Sequence, residues 1–329
     1  MQALPLISII VPIYNVQNYI ERCVKSLFNQ SYPNCEFIFI NDCTPDNSIE
    51  QLTQTIQEFP AIKDKIQIIN KSKNEGLPQA RKTGIDIANG EYIIHVDSDD
   101  WVEKDYVKLL VQTAINNNAD LVWAGYMKDF SNDMQYQPNR PSNLNNKTII
   151  SEILNWQIHS GVWCKLFKKE IYQKNNIIFT NKNYVEDMVQ TIQCVKYAKR
   201  IVYLPNCKYH YCYNSNSITF SKNNVKQRAE EYLYNLNIIS SSLQEDLDFY
   251  APILSKCYNS IKYSLLILYK GDPQLCEPVL NSHPDSLKYR NINIIQYTLI
   301  YIAYKYKILF PFKIIAFLKN NLKFLSIQF

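Results

Sequence analysis

Gly90-Glu91-Tyr92-Ile93-Ile94-His95-Val96-Asp97-Ser98-Asp99-Asp100-Trp101 is the stretch that decides how this chain is read. Its first half is apolar, aromatic and β-branched, the composition of a short buried strand. Three acids then fall within four positions. Carboxylates crowded at the end of a buried strand repel one another and lose solvation, so such a cluster persists where a hard divalent cation or a proton-transfer task compensates it. In the D-x-D form of Asp97-Ser98-Asp99, alternate carboxylates of an extended turn point the same way and can reach a metal and a ribose together. From position alone, the same acids could instead favour the positive end of a helix over Lys104–Asn117. A second acidic pair, Glu186-Asp187, stands before a helical pattern over Met188–Tyr197, where it carries the same two readings.

Outward from that stretch, the first 130 residues alternate strand-like and helix-like patterns. Strands are expected at Leu6–Tyr14, Glu36–Asn41, Ile66–Asn70, Tyr92–Val96 and Leu121–Tyr126. Helices are expected at Tyr19–Phe28, at Ser48–Phe59 after the cluster Asp46-Asn47-Ser48, and at Leu77–Ala88 with Pro78 in its first turn. This alternation predicts an α/β fold with a parallel sheet flanked by helices. Ligands of open parallel sheets bind beyond the carboxyl ends of the strands. Asn15, Asp42, Asn74 with Gly76, and the acidic run all fall at such ends, where one ligand could touch them together.

Residues 131–150 are rich in Asn, Pro and Ser and read as a long loop through which an acceptor could enter. The mixed stretch 151–219 is expected to complete the floor of a site. Beyond Phe220 the pattern is helical, with Ile314, Phe317, Leu318, Leu322 and Leu325 at helical spacing. The expected organisation is therefore a catalytic domain over 1–220, divided near residue 130, and a helical extension over 221–329. The nine cysteines lack paired C-x-x-C spacing, which argues against a zinc site or a disulfide framework and fits a reducing cytoplasm. Leu6–Tyr14 lacks a basic leader and contains Pro12, so it reads as a first strand and not a signal peptide. With six glycines, the chain has neither a G-x-G-x-x-G fingerprint nor a G-x-x-x-x-G-K-[ST] phosphate loop.

Five ordered segments carry a resemblance: Ser8-Ile9-Ile10-Val11-Pro12-Ile13-Tyr14-Asn15, Phe39 to Ser48, Asn74-Glu75-Gly76-Leu77-Pro78-Gln79-Ala80-Arg81, Gly90 to Asp100, and Val185-Glu186-Asp187. In these the chain resembles the family-2 glycosyltransferases with the GT-A fold, a Rossmann-like nucleotide-diphospho-sugar transferase architecture. More narrowly, Trp163-Cys164-Lys165-Leu166, Glu186-Asp187 and Tyr209-His210-Tyr211 through Asn216-Ser217-Ile218 look like bacterial lipooligosaccharide β-1,3-galactosyltransferases. The resemblance covers residues 6–220 and weakens beyond.

It implies an inverting enzyme that uses Mn²⁺ or Mg²⁺ and moves a sugar, galactose being the first guess, from a UDP-sugar to a glycan or lipid-linked oligosaccharide acceptor. Pro12, Tyr14 and Asp42 would hold the nucleotide base, with Arg81 nearby. Asp97 would face the ribose and Asp99 the metal. Asp187 matches the catalytic base, Glu186 an adjoining acceptor-binding or supporting position, His210 a late metal ligand, and Ser217 a diphosphate contact. The family often has Asp-Asp-Gly where this chain has Asn41-Asp42-Cys43, which puts the turn geometry in question. It often has arginine between the positions of Tyr211 and Ser217, and none is present here. Lys165 is then a candidate for charge neutralisation, or a structural residue beneath Trp163. The reading from a different class is a catalytically silent GT-A-like module that binds nucleotide or glycan.

The net charge of +5 is unevenly placed. Residues 286–329 hold seven basic side chains and no acid, leaving the rest of the chain net negative. Asn291–Tyr304 is uncharged but shorter than the roughly 20 residues that cross a bilayer. The tail composition suits an anionic membrane interface or a helical cap packed against the catalytic domain or a partner subunit, and the expected location is cytoplasmic, peripheral on the inner face of the membrane in the first case. No nucleic-acid partner is expected, and the oligomeric state is left open.

Overall fold

The computed structural model describes residues 4–130, 133–205, 208–214, 217, 225–289 and 292–321, in two compact units divided between positions 220 and 221. In the first unit the strands β1 (Ile7–Ile13), β2 (Cys35–Asn41), β3 (Ile66–Asn70) and β4 (Tyr92–His95) alternate with the helices α1 (Ile20–Phe28), α2 (Ser48–Gln57) and α3 (Leu77–Ile87). Every residue of β1 is buried, as a parallel strand covered on both faces requires. β1 pairs in parallel with β2 and with β4, and β2 with β3. α1 turns Ile20, Cys23, Val24, Leu27 and Phe28 inward at helical spacing.

The chain continues through β5 (Trp101–Val102), α4 (Tyr106–Asn117), β6 (Leu121–Ala124), β7 (Tyr126–Phe130), β8 (Asp133–Gln137), α5 (Asn146–Leu154), β9 (Lys165–Lys168), α6 (Glu170–Lys174), α7 (Glu186–Tyr197), β10 (Ile201–Leu204) and β11 (Tyr209–Cys212). The central sheet has the order β10-β6-β9-β4-β1-β2-β3. It is parallel except for β9, which runs antiparallel between β4 and β6. A second sheet, β5-β11-β7-β8, lies beside it.

Two expectations are corrected. The strand foreseen over Leu121–Tyr126 divides at Gly125, with β6 in the central sheet and β7 in the small one. Chain crosses close to that glycine: a Cβ there would stand 2.7 Å from the Tyr136 hydroxyl and 2.8 Å from the Gln137 carbonyl. The foreseen loop over 131–150 contains β8 and the start of α5. β8 is an exposed edge strand whose short alternation, Met134 and Tyr136, is left unburied, so its pairing with β7 is what reveals it. α5 is capped by the Asn145 carboxamide, which accepts from the Thr148 N–H at 2.8 Å.

The second unit contains α8 (Val225–Ser242), α9 (Leu247–Leu268), α10 (Pro273–Asn281), α11 (Ile294–Tyr306) and α12 (Phe310–Asn321). The other four pack on α9, around a core that includes Leu266, Cys276, Leu280, Ile300 and Phe312. Among the described residues, no helix is long and apolar enough to cross a membrane.

Candidate active site

A cavity of about 440 Å³ opens at the carboxyl ends of the central strands. Asn15 after β1, Asp42 after β2, Asn74 and Gly76 after β3, and Asp97 to Asp99 after β4 all line it. The crossing of parallel strands thus gathers residues that the sequence holds far apart.

The acidic run is a turn and not a helix cap, because β5 intervenes and α4 begins only at Tyr106, behind Asp105. Its residues alternate: Asp97 and Asp99 are partly exposed to the cavity, whereas Ser98 and Asp100 are buried. Asp100 binds the fold together, accepting from the Tyr209 hydroxyl at 2.6 Å and the Cys212 N–H at 2.8 Å. Asp99 Oδ2 accepts from Asn214 at 3.0 Å. Burial pushes the Asp97 carboxyl up to about 6, with Asp187 and Asp99 adding to the shift and Arg81 opposing it. Burial likewise raises Asp99.

Arg81 on α3 is fully buried, and its two terminal nitrogens are spent on acids. Nη2 donates to Asp97 at 2.7 Å; Nη1 donates to Asp187 at 2.7 Å and to Glu186. The residue expected beside the nucleotide therefore ties the D-x-D turn to the start of α7. Glu186 and Asp187 occupy the first turn of that helix. Burial raises both carboxyls, but for Asp187 the Arg81 charge and a hydrogen bond from Glu186 outweigh it and hold the group below its ordinary value. Glu186, more deeply buried and beside the charged Asp187, is held well above the usual carboxylate range despite Arg81.

The residue before the pair is strained. Val185 has φ 58°, a left-handed conformation that a β-branched side chain adopts at a cost of roughly 1–3 kcal/mol. Upstream, Asn183 Oδ1 accepts from the Leu77 N–H at 3.0 Å, which docks this segment on the start of α3.

Pro12 and Tyr14, expected at the nucleotide base, line the cavity, Tyr14 with 47% of its surface exposed. Asp42 lines it too, but much of its carboxylate serves the chain: Oδ1 accepts from the Glu75 N–H at 3.0 Å, Oδ2 from the Gly76 N–H at 2.8 Å, and Lys71 lies 3.4 Å away. Cys43, where the resemblance implies glycine, has φ 57°, so the left-handed turn is kept without glycine. Ser217 lines the cavity, its N–H bonded to the Asn214 carbonyl at 3.0 Å.

His210 is not brought into this cavity. Tyr209 and Tyr211 both stack on Trp163, so strand alternation turns the intervening His210 to the opposite face of β11. There it stacks on Trp101 at 3.6 Å and bonds Glu103 at 3.2 Å. Asn214, not His210, is the neighbour of Asp99. Lys165 takes the structural alternative, fully buried with its ammonium 3.9 Å above the Trp123 ring and bonded to the Gly161 carbonyl. Asn183, Asn214, Trp156 and His159 also line the cavity and were missed, because an isolated polar or aromatic residue carries no spacing signal.

A glycosyl transferase family 2 model matches residues 8–175. The chain belongs to that family. EpsJ of Bacillus subtilis, an uncharacterised glycosyltransferase, is 33% identical over 75% of each chain. GlyG of Streptococcus pneumoniae, also a glycosyltransferase, is 30% identical over 65% of this chain and 72% of its own. Among solved structures, S. aureus TarS 1-349 superimposes with TM-score 0.63 at 18% identity, over 98% of this chain and 93% of that one. The fold is GT-A.

Among the described residues no group of three or more His, Cys, Asp or Glu encloses a metal ion. Asp42, Asp97, Asp99, Glu186 and Asp187 line the cavity, and Arg81 is the one guanidinium among the lining residues. That excess of negative charge fits a divalent ion held by one or two carboxylates and completed by phosphate oxygens and water, the mode Mg²⁺ favours. Asp99, with Asp97 beside it, is placed to hold it.

Proposed function

We propose that this glycosyltransferase is an inverting, metal-dependent enzyme that moves a sugar from a UDP donor to a hydroxyl of a surface glycan or lipid-linked oligosaccharide. The observation that carries the reading is the meeting of Asp97, Asp99 and Asp187 on one cavity whose other wall holds Pro12, Tyr14 and Asp42. TarS has been crystallised with UDP-GlcNAc, and a Pyrobaculum calidifontis mannosyltransferase with GDP-Man and Mn²⁺, at TM-score 0.56 and 15% identity. Both support a nucleotide-sugar donor, and the second a metal.

In this reading Tyr14 and Pro12 flank the uracil, and Asp42 accepts its N–H with the lone pairs that Glu75 and Gly76 leave. Asp97 receives a ribose hydroxyl. Asp99 would hold Mn²⁺ or Mg²⁺, which when bound would supply positive charge near the departing diphosphate. Asp187, kept ionised through the neutral range by Arg81 and Glu186, takes the proton of the acceptor hydroxyl as its oxygen attacks the anomeric carbon. Glu186, its carboxyl pushed well above the usual range by burial and bonded to Arg81, supports the site beside Asp187.

The test is release of UDP from UDP-galactose, UDP-glucose, UDP-GlcNAc and UDP-GalNAc, with the anomer of the product assigned by NMR. Galactose heads the order of expectation. Release from none of the four would overturn the reading, and a retained anomer would overturn the inverting step.

For the second unit we propose a peripheral contact with an anionic membrane. Ile294, Ile295, Phe310 and Phe317 each expose about two-thirds of their surface or more. Lys305, Lys307 and Lys313 are exposed on the same two helices and the link between them. Apolar residues flanked by lysines suit the headgroup boundary. Lys319, Lys323, Leu322 and Leu325 of the expected amphipathic pattern lie outside the residues whose side chains are described.

A further inference from the structure

Trp156 follows α5 with 58% of its surface exposed, at φ 60°. Both features carry a cost. An indole left in water forgoes the burial that usually retains a tryptophan, and a left-handed backbone costs roughly 1–2 kcal/mol outside glycine. The position is nevertheless fixed, since the Trp156 N–H bonds the Ile153 carbonyl at 2.9 Å. Trp156 also lines the cavity that contains Asp187, beside His159, Ser160, Tyr184 and Tyr211.

The loop bearing it is braced on the helix of the base. Thr191 of α7 donates to the Ser160 carbonyl at 2.6 Å, the Gly161 N–H donates to His159 Nδ1 at 2.9 Å, and Lys165 holds the Gly161 carbonyl. Trp156 and Asp187 therefore stand in a set relation through Thr191. His159, Ser160, Tyr184 and Tyr211 include no acid, lysine or arginine, so this part of the wall carries no fixed charge. It offers aromatic faces, the hydroxyls of Ser160, Tyr184 and Tyr211, and an imidazole.

A surface of that chemistry suits a neutral pyranose ring, whose C–H face lies on an aromatic plane while its rim hydroxyls bond polar neighbours. Resting on the transferase reading above, we propose that Trp156 is the platform for the acceptor's terminal hexopyranose and presents that sugar's hydroxyl to Asp187. The acceptor is then a neutral hexoside at its reacting end, and a ribitol-phosphate or other anionic polyol is disfavoured there.

The test compares wild type with Trp156→Ala and Trp156→Phe, using octyl β-glucoside, β-galactoside and β-N-acetylglucosaminide as acceptor probes. Truncating an aromatic anchor is expected to raise the acceptor KM about tenfold, to move the UDP-sugar KM by less than about twofold, and to be largely reversed in Trp156→Phe. Binding is read separately from turnover: hexoside added with saturating UDP should quench a component of tryptophan emission that Trp156→Phe lacks. An unchanged acceptor KM in Trp156→Ala, or equal shifts in both KM values, overturns the platform while leaving the transferase reading intact. A wild-type enzyme that quenches with hexoside yet releases no UDP sinks the transferase reading and leaves the platform standing. Quenching and KM effects seen only with anionic polyols would overturn the neutral-sugar assignment.

Discussion

Arg81 and Asp187, 106 positions apart, form a 2.7 Å ion pair whose guanidinium is fully buried. The same side chain reaches Asp97, so one cation holds together the two acidic segments of the site. Removing it leaves the carboxylates buried without compensation, which costs about 3–5 kcal/mol where a buried pair is broken.

Arg81→Met is accordingly expected to unfold the first unit at markedly lower temperature near pH 7.5, and by less near pH 5. Without the cation, the carboxyls of Asp97 and its neighbours rise further above their unfolded values. Ionising them then opposes folding, a penalty complete above the folded pKa and absent below the unfolded one. Thermal melts at the two pH values check this, and an equal loss at both would contradict the role.

Asp187→Asn keeps size and much of the hydrogen bonding but cannot take a proton. Turnover should fall about a hundredfold or more while UDP still binds. Calorimetric titration with UDP beside the kinetics separates the two effects. Near-normal turnover would move the base elsewhere, with Glu186 first to examine.

If Asp99 holds the metal, Mn²⁺ should raise the melting temperature of the wild type and not of Asp99→Ala, and EDTA should stop transfer until Mn²⁺ or Mg²⁺ returns. His210→Ala, despite the resemblance that made it a metal ligand, should leave the metal requirement unchanged and cost stability through the lost stack on Trp101. A raised requirement in that variant would restore His210 to the metal.

In the helical unit, Lys262 is fully buried with no carboxylate among its hydrogen-bond partners, the His283 carbonyl at 3.0 Å and the Ser286 hydroxyl at 3.2 Å. Burial pushes its pKa down to about 8. The unfolded chain then binds more protons between that value and the ordinary lysine range, so stability from this group rises with pH across that interval and the penalty is complete below it. The melting temperature of wild type relative to Lys262→Met should increase from pH 7.5 to 10. A flat difference would mean the ammonium is not desolvated.

Vesicles of phosphatidylglycerol should capture the protein at low salt, and less as ionic strength rises. Reversing Lys305, Lys307 and Lys313 to Glu should weaken capture by at least about tenfold and leave transfer to a short soluble acceptor in place. Capture that ignores both salt and these substitutions would remove the membrane reading.

By itself the sequence determined what is written in local pattern. The strands at Ile7–Ile13 and Ile66–Asn70, the helices between them and the strand-end positions of Asp42 and Asp97 were all legible, because burial on both faces imposes apolar runs and turns impose polar residues. The crowding of acids at Asp97-Ser98-Asp99 was legible too, since residue identity and spacing are read directly from the sequence. Only the tertiary structure decided partners. That Arg81 serves three acids, that His210 faces Trp101 and not Asp99, and that Trp156 stands over the same cavity as Asp187 follow from β11 alternation, from the packing of α3 against the start of α7, and from the brace of Thr191 on Ser160. These relations join residues tens of positions apart, and periodicity carries information over only a few turns or pleats. The strand Asp133–Gln137 was hidden for the same reason: its alternation spans only Met134 and Tyr136 on an exposed edge, and its pairing with β7 makes it a strand.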